Sequence, residues 1–266
     1  MYGKVTEVRR TIGAMIKIFA VTLLIAVTLN SGTCDSFGDA GRKLLDQWRD
    51  SILIVQITTK STASYEGQPM THEDKNEATA VVIDPSGLAV MSLSESSPEG
   101  MLSQFVDGQG APKLTSEITD MKLIMPDGKQ IPYKIVLRDK DMDLAFIRPA
   151  DKTPRTFKAL DLTKASKPGV FDQVIYIDRL PVMASRSIGA FSARINAVVQ
   201  KPRTFYVLSA QGLGAPVFTE DGGIVGIVVI RGSQGVRSIR GAGYLLIVLP
   251  ASDVLNAAKQ ALQSTP

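Results

Sequence analysis

The chain of 266 residues carries one histidine, His72, and one cysteine, Cys34. That scarcity bounds its chemistry. A metal centre needs clustered His, Cys, Asp or Glu ligands and a disulfide needs a second cysteine, so neither a metal nor an intrachain bridge is expected. No cofactor is expected either. His72 lies in the polar run Met70-Thr71-His72-Glu73-Asp74-Lys75, where a histidine is ordinarily just solvated. Ser92, Ser94 and Ser209 are candidate hydroxyl nucleophiles, yet none has a base beside it in the sequence, and a hydroxyl needs one to attack near neutral pH. The segment with the tightest backbone is Gln211-Gly212-Leu213-Gly214-Ala215-Pro216-Val217-Phe218, followed by Gly222-Gly223-Ile224-Val225-Gly226-Ile227. Two glycines flank Leu213, and a leucine cannot attack a carbonyl.

The elements that position these residues read as short strands. Apolar runs at Ile52–Thr59, Ala78–Asp84, Leu88–Met91, Met121–Met125, Gln130–Arg138 and Leu144–Arg148 are separated by turn signals such as Asp84-Pro85-Ser86-Gly87 and Pro126-Asp127-Gly128. Lys60 to Asn76 is polar and reads as a loop, and Glu95 to Thr119 as a longer one. A second series runs Phe171–Asp178, Ser187–Gln200, Thr204–Ser209, Val217–Thr219, Ile224–Ile230 and Tyr244–Val248. A helix is predicted from Gly41 to about Ser51, on Leu44, Leu45 and Trp48. Another is predicted over Ala251–Leu262, on Val254, Leu255, Ala258 and Leu262. Two sets of six strands joined by a linker suggest two small β-barrels in tandem. No internal repeat is visible.

Four segments carry a family resemblance. Ala80-Val81-Val82-Ile83-Asp84-Pro85-Ser86-Gly87-Leu88-Ala89-Val90 resembles the first-barrel segment of trypsin-like serine peptidases of the HtrA/Deg type. In that family it continues T-N-x-H-V, with the histidine as general base. Here the continuation is Met91-Ser92-Leu93-Ser94-Glu95, and Ser94 falls at the histidine position. Ile118 to Gln130, leading through Ile135–Asp139 to Asp141-Met142-Asp143-Leu144-Ala145-Phe146-Ile147, is similar to the family's hairpin and its D-L-A strand, with Asp143 at the aspartate position. The loop around Leu213 resembles the nucleophile loop G-N-S-G-G-P-L, with Leu213 at the serine position and Ala215 replacing the second glycine. Gly241-Ala242-Gly243-Tyr244-Leu245-Leu246-Ile247-Val248-Leu249-Pro250 resembles the strand before the family's closing helix. Together the matches cover roughly residues 52–262.

The resemblance implies an all-β fold of two tandem six-stranded antiparallel β-barrels, with a short N-terminal helix and a C-terminal one. It implies a degenerate triad of Ser94, Asp143 and Leu213, in which only the aspartate keeps its type. It also implies an oxyanion hole built from the backbone N–H groups of Gln211 and Leu213, which does not depend on side chains. The strand after the loop, with Ile227, Val228 and Val229, would lend an edge to an extended peptide, although such an apolar run is also what a buried barrel strand looks like. Leu213 reads equally as an apolar side chain filling the space between the barrels. Relatives of this type often carry a C-terminal peptide-binding module; none is expected between the closing helix and Pro266.

The composition narrows the partners. The chain has 30 basic and 26 acidic residues, a net of +4. Leaving out residues 1–33 removes Lys4, Arg9, Arg10, Lys17 and Glu7, so the body holds 26 basic against 25 acidic residues and no nucleic-acid footprint is expected. Arg9, Arg10 and Lys17 precede an apolar run of 12, Ile18–Leu29, followed by Asn30, Ser31, Gly32 and Thr33. That order predicts export, to the periplasm or outside the cell, behind a signal peptide or an anchor over residues 12–29, the only contact with a membrane. Cys34 at this border reads as incidental, with lipidation the alternative. The expected divisions are 1–33 for that segment, 34–51 for a helical lead, 52–148 for the first barrel and 149–160 for a linker. The second barrel spans 161–250, and 251–266 hold the closing helix and tail. Three functional readings stay open: an inactive homologue that binds extended peptides or proteins, a serine-type endopeptidase with an unorthodox site, and a structural double-barrel scaffold.

Overall fold

The computed structural model describes residues 35–65, 68–96, 114–209, 212–232 and 244–263. In the first barrel, β1 (Ile52–Tyr65), β2 (Gln68–Val82), β3 (Ala89–Ser92), β4 (Leu114–Ile124), β5 (Gln130–Asp139) and β6 (Leu144–Pro149) close in the order β1-β2-β3-β6-β5-β4, every pair antiparallel. Alternate residues form its core: Leu53, Val55 and Ile57 on β1, Ala78, Ala80 and Val82 on β2, Ala145 and Ile147 on β6. The pleat demands that period of two. The residues between them, including Ile52, Val81, Val90 and Phe146, are buried as well. These strands are covered on both faces, so they read as unbroken apolar runs.

The second barrel holds β7 (Gln173–Arg179), β8 (Ile188–Val199), β9 (Phe205–Leu208), β10 (Pro216–Thr219), β11 (Ile224–Gly232) and β12 (Tyr244–Pro250). Its order is β7-β8-β9-β12-β11-β10, closed by pairing of β10 with β7. The two barrels therefore share one strand topology without a visible sequence repeat. Closure constrains alternation and inward volume, and many residue sets satisfy both.

The stretch Lys60 to Asn76, expected as a loop, is instead the outer part of the β1–β2 hairpin, paired through Lys60↔Glu73, Ser61↔His72 and Thr62↔Thr71. Most of the β2 arm faces water there, with Thr71, His72, Glu73, Lys75 and Asn76 exposed. An arm that buries little needs no apolar alternation and leaves no strand signal. Likewise Leu114–Thr119, expected as the end of a long loop, begins β4 and pairs with β1.

Residues 149–160, expected as a linker, are fastened down. The Phe157 N–H donates to the Pro85 carbonyl (3.1 Å) and the Leu160 N–H to that of Val82 (2.8 Å), while the Phe157 ring packs into the first core. Further along, Ser166 N–H donates to Ile224 O and Ile224 N–H to Lys164 O, each at 2.8 Å, on the second barrel. The connection is thus bonded to both barrels, and Ala40–Pro266 form one compact unit.

Helix α1 (Ser36–Trp48) begins at Asp35, whose carboxylate accepts the Gly38 N–H at 3.2 Å. It buries Leu44 and Trp48. Helix α2 (Ala251–Gln263) buries Ala251, Val254, Ala257, Ala258 and Ala261 and leaves Leu262 exposed, so its face is turned from the one expected. Alanines let the helix approach the barrel closely, and Arg148 of β6 donates to the Ala261 carbonyl at 3.2 Å. No helix among the described residues is long and apolar enough to cross a membrane. The segment 1–33 and Cys34 lie outside the described residues.

Phe157→Ala should detach the connection from the first barrel. Truncating a buried phenylalanine costs about 3–5 kcal/mol. A melting-temperature loss of roughly 6 °C or more is expected, at about 2–4 °C per kcal/mol for a protein of this size, and an unchanged melting point would mean the connection is not part of the core.

Candidate functional site

The two barrels meet at a buried carboxylate. Asp143 ends the turn before β6 and takes a left-handed conformation (φ 54), which aspartate tolerates better than most residues. Its side chain is 1% exposed. Oδ2 accepts the Ser92 hydroxyl at 2.6 Å and the Ile230 N–H at 2.9 Å. Oδ1 accepts the Ser94 hydroxyl at 2.7 Å and the Ser94 N–H at 2.8 Å. Three of these donors come from the end of β3 and the single helical turn Leu93–Ser96, and the fourth comes from β11 of the other barrel. Burial pushes the Asp143 carboxyl above its ordinary range, and the four donors pull it partly back.

Ser94 and Asp143, expected together, are hydrogen-bonded. Ser92 joins them on the same carboxylate, as a donor rather than a nucleophile. Leu213 lies in the turn before β10, half-buried, and packs against the second barrel's core. Gln211, the other residue of the expected oxyanion hole, lies outside the described residues. Ser209 follows β9, and its hydroxyl is 3.4 Å from the Asn196 amide. His72 is exposed on the hairpin arm, with Nε2 3.0 Å from Asp74 Oδ1. No group of His, Cys, Asp and Glu suited to a metal ion occurs among the described residues.

Ile227, Val228 and Val229 are buried and form part of the barrel wall. Their backbone runs between β12, through Ile227↔Leu249, Val228↔Val248 and Val229↔Ile247, and the β10 side, where Pro216 pairs with Ile227. Val228 also accepts the Gly214 N–H at 2.8 Å and donates to Ala215 O at 2.9 Å. Beyond the Ile230 N–H that Asp143 takes, Arg231 and Gly232 pair only with β12 among the described residues. The part of β11 that pairs on one side among the described residues is thus Arg231–Gly232, and Ile227–Val229 lie within the closed barrel wall.

Three further residues converge here that sequence reasoning missed. The Thr79 hydroxyl of β2 donates to Asp178 Oδ1, at the end of β7, at 2.7 Å. The Thr79 carbonyl meets the glycine turn so closely that a Cβ on Gly214 would fall 2.2 Å from it, and Gly214 has φ +73. A Cβ on Gly212 would fall 1.9 Å from Asp178 Oδ2. Glycine is required at both positions by these approaches. Glu95, beside Ser94, has an enclosed carboxyl whose Oε2 reaches no hydrogen-bond partner among the described residues. Burial first, then the charges of Asp178 and Asp143, push it well above the carboxylate range. Asp178 is also raised, by burial. Nothing in the sequence spacing links Thr79 to Asp178, 99 residues apart. The one available signal was the unbroken pair Ser94-Glu95 after a buried strand.

Chemically the site can hold a carboxylate and orient two hydroxyls. The Asp143 carboxylate is engaged by four donors, two hydroxyls and two backbone N–H groups, all from the protein itself. A cavity of about 630 Å³ lies elsewhere, lined in part by Met125, Ile131, Arg155 and Phe157.

No protein-family model matches the sequence, and no curated protein is similar to it. Among solved structures, the protease domain of MamO from Magnetospirillum magneticum, in its apo form, is similar with 12% sequence identity and a TM-score of 0.49, over 79% of this chain and 97% of that one.

Asp143→Asn should destabilise the protein strongly. The substitution turns an acceptor into a donor facing donors, and breaking such a buried set costs about 3–5 kcal/mol. Chemical denaturation of the two proteins checks it; a loss under about 1 kcal/mol would mean that Asp143 does not hold the seam.

Proposed function

We propose that this chain is an exported trypsin-like serine peptidase homologue of the HtrA/Deg type that does not hydrolyse peptides and retains a surface for extended peptide or protein segments. The observation that carries the reading is the pairing of Ser94 with Asp143, where a peptidase of that type would have its histidine. With Leu213 in the nucleophile turn, base and nucleophile are both missing. Removing triad members together leaves only the residual acceleration of the oxyanion hole and binding. The peptide-binding part rests on the β11 edge at Arg231–Gly232, which pairs on one side only among the described residues. Strand addition to such an edge supplies main-chain hydrogen bonds without needing a catalytic residue. Export rests on the order of charges and apolar residues before Asn30.

One observation favours the scaffold reading instead. All four bonds to Asp143 come from the protein, and Leu213 is packed on a core, so the old site is spent on holding the barrels together. Titration with a library of extended peptides separates the two. Saturable binding supports the peptide surface, and no binding at millimolar peptide supports the scaffold.

The purified chain should show no peptidase or esterase activity on casein or chromogenic esters. A fluorophosphonate probe that labels a serine in the folded protein, and loses that labelling on heat denaturation, would overturn the reading. Ser94→His combined with Leu213→Ser should restore the triad residue types and give weak activity at best, because a misplacement of about 1 Å costs roughly 100-fold. A structure of the variant with the new imidazole far from Asp143 would show that Ser94 is not at the base position.

A further inference from the structure

The seam between the barrels holds three carboxyl groups, and no described Lys, Arg or His is ion-paired or hydrogen-bonded to any of them through its side chain. Asp143 is bonded to hydroxyls and backbone N–H groups alone. Asp178 accepts the Thr79 hydroxyl and the Arg179 N–H. The Glu95 carboxyl is enclosed: Oε2 reaches no hydrogen-bond partner among the described residues and lies 3.5 Å from where a Cβ on Gly214 would stand, while the Thr79 N–H partly supports the ionised form. The nearby cations are committed elsewhere: the Arg179 guanidinium donates to the carbonyls of Ile52 (2.8 Å), Arg49 (2.7 Å) and Arg186 (3.3 Å). Arg186 is paired with Glu77 of β2.

We propose that Glu95 is the proton-operated element of an acid-tightened clasp between the two barrels: protonated, it lets the Gly212–Gly214 turn close on Thr79; ionised, it is repelled by Asp178 and Asp143 and loosens that contact. The geometry makes Thr79 the point where the clasp acts. Its hydroxyl holds Asp178 of the second barrel, and its carbonyl receives the glycine turn too closely for any side chain there. Among the described residues no cation is ion-paired or hydrogen-bonded with Glu95, and Arg231 of β11 stands over the Phe205 ring. β2 brings Thr79 and the already paired Glu77, the turn before β6 brings Asp143, and β7 brings Asp178 and the committed Arg179; β3 and the glycine turn bring no charge. A buried carboxylate without a counter-charge is strongly disfavoured against its neutral acid.

The direction of the pH effect follows by linkage. Glu95 is raised in the folded protein above its value in the unfolded chain, so the folded state binds the extra proton. Its contribution to stability is complete below the unfolded pKa and is lost as pH rises through the folded one. Asp143 and Asp178, also raised, act in the same direction. The inference stands apart from the functional proposal above, since it needs neither a peptide nor a lost activity.

Melting temperature measured from pH 5 to pH 8 on the whole protein and on Glu95→Gln tests it. The native protein should melt higher at pH 5 than at pH 8. Glu95→Gln should melt roughly 3 °C or more above the native protein at pH 8, the shift that about 1 kcal/mol produces, and the two should converge at pH 5. An identical pH slope in both proteins, or a variant that melts lower at pH 8 by as much as at pH 5, overturns the clasp. If the variant does not fold, carboxyl-carbon NMR of the native protein decides: a Glu95 titration well above the ordinary carboxylate range supports it, and one within that range overturns it.

Discussion

The arrangement depends on a buried negative charge that belongs to neither barrel alone. Asp143 draws two hydroxyls and an N–H from the first barrel and one N–H, that of Ile230, from the second. A carboxylate taken out of water must be met by donors at nearly every lone pair, or it becomes neutral. The donors must therefore be held in place, which ties β3, the turn at Leu93–Ser96 and β11 to one point. The Ser92 and Ser94 hydroxyls supply two of its hydrogen bonds, and the carboxylate acts as a structural staple.

Around that staple the two barrels approach closely through backbone rather than side chains. Gly212 and Gly214 meet Asp178 and the Thr79 carbonyl at distances that exclude even a methyl group. The glycines that a nucleophile turn needs are thus justified here by packing alone, so their presence says little about chemistry. Arg179, reaching from β7 to the carbonyls of Ile52 and Arg49, completes the junction from the other side and closes the carbonyl end beyond α1. The connection at Phe157 and Leu160 joins in as a third fastening.

Much of this was legible in the residues. Apolar patterning marked nine of the twelve strands to within about two residues at each end, because burying a face of a pleat leaves a signature in one dimension. The meeting of Ser94 with Asp143 was also expected, and the two are hydrogen-bonded. The misses share a cause. The outer β1–β2 hairpin and the start of β4 bury too little to be patterned, and residues 149–160, polar in sequence, are bonded to the first barrel through their backbone. The helix face of α2 was misjudged because alanine counts weakly as apolar but packs closest.

The sequence by itself determined the fold class and the scarcity of histidine and cysteine; these depend on composition and local spacing. Only the tertiary structure decided that Glu95, Thr79 and Asp178 share the seam, that Leu213 rests on one barrel's core, and that β11 presents Arg231–Gly232 rather than Ile227–Val229 as its one-sided edge. Such groupings arise from residues about 100 positions apart meeting across two closed barrels. Burial and the lack of a counter-charge are properties of that meeting, and no single stretch of chain carries them.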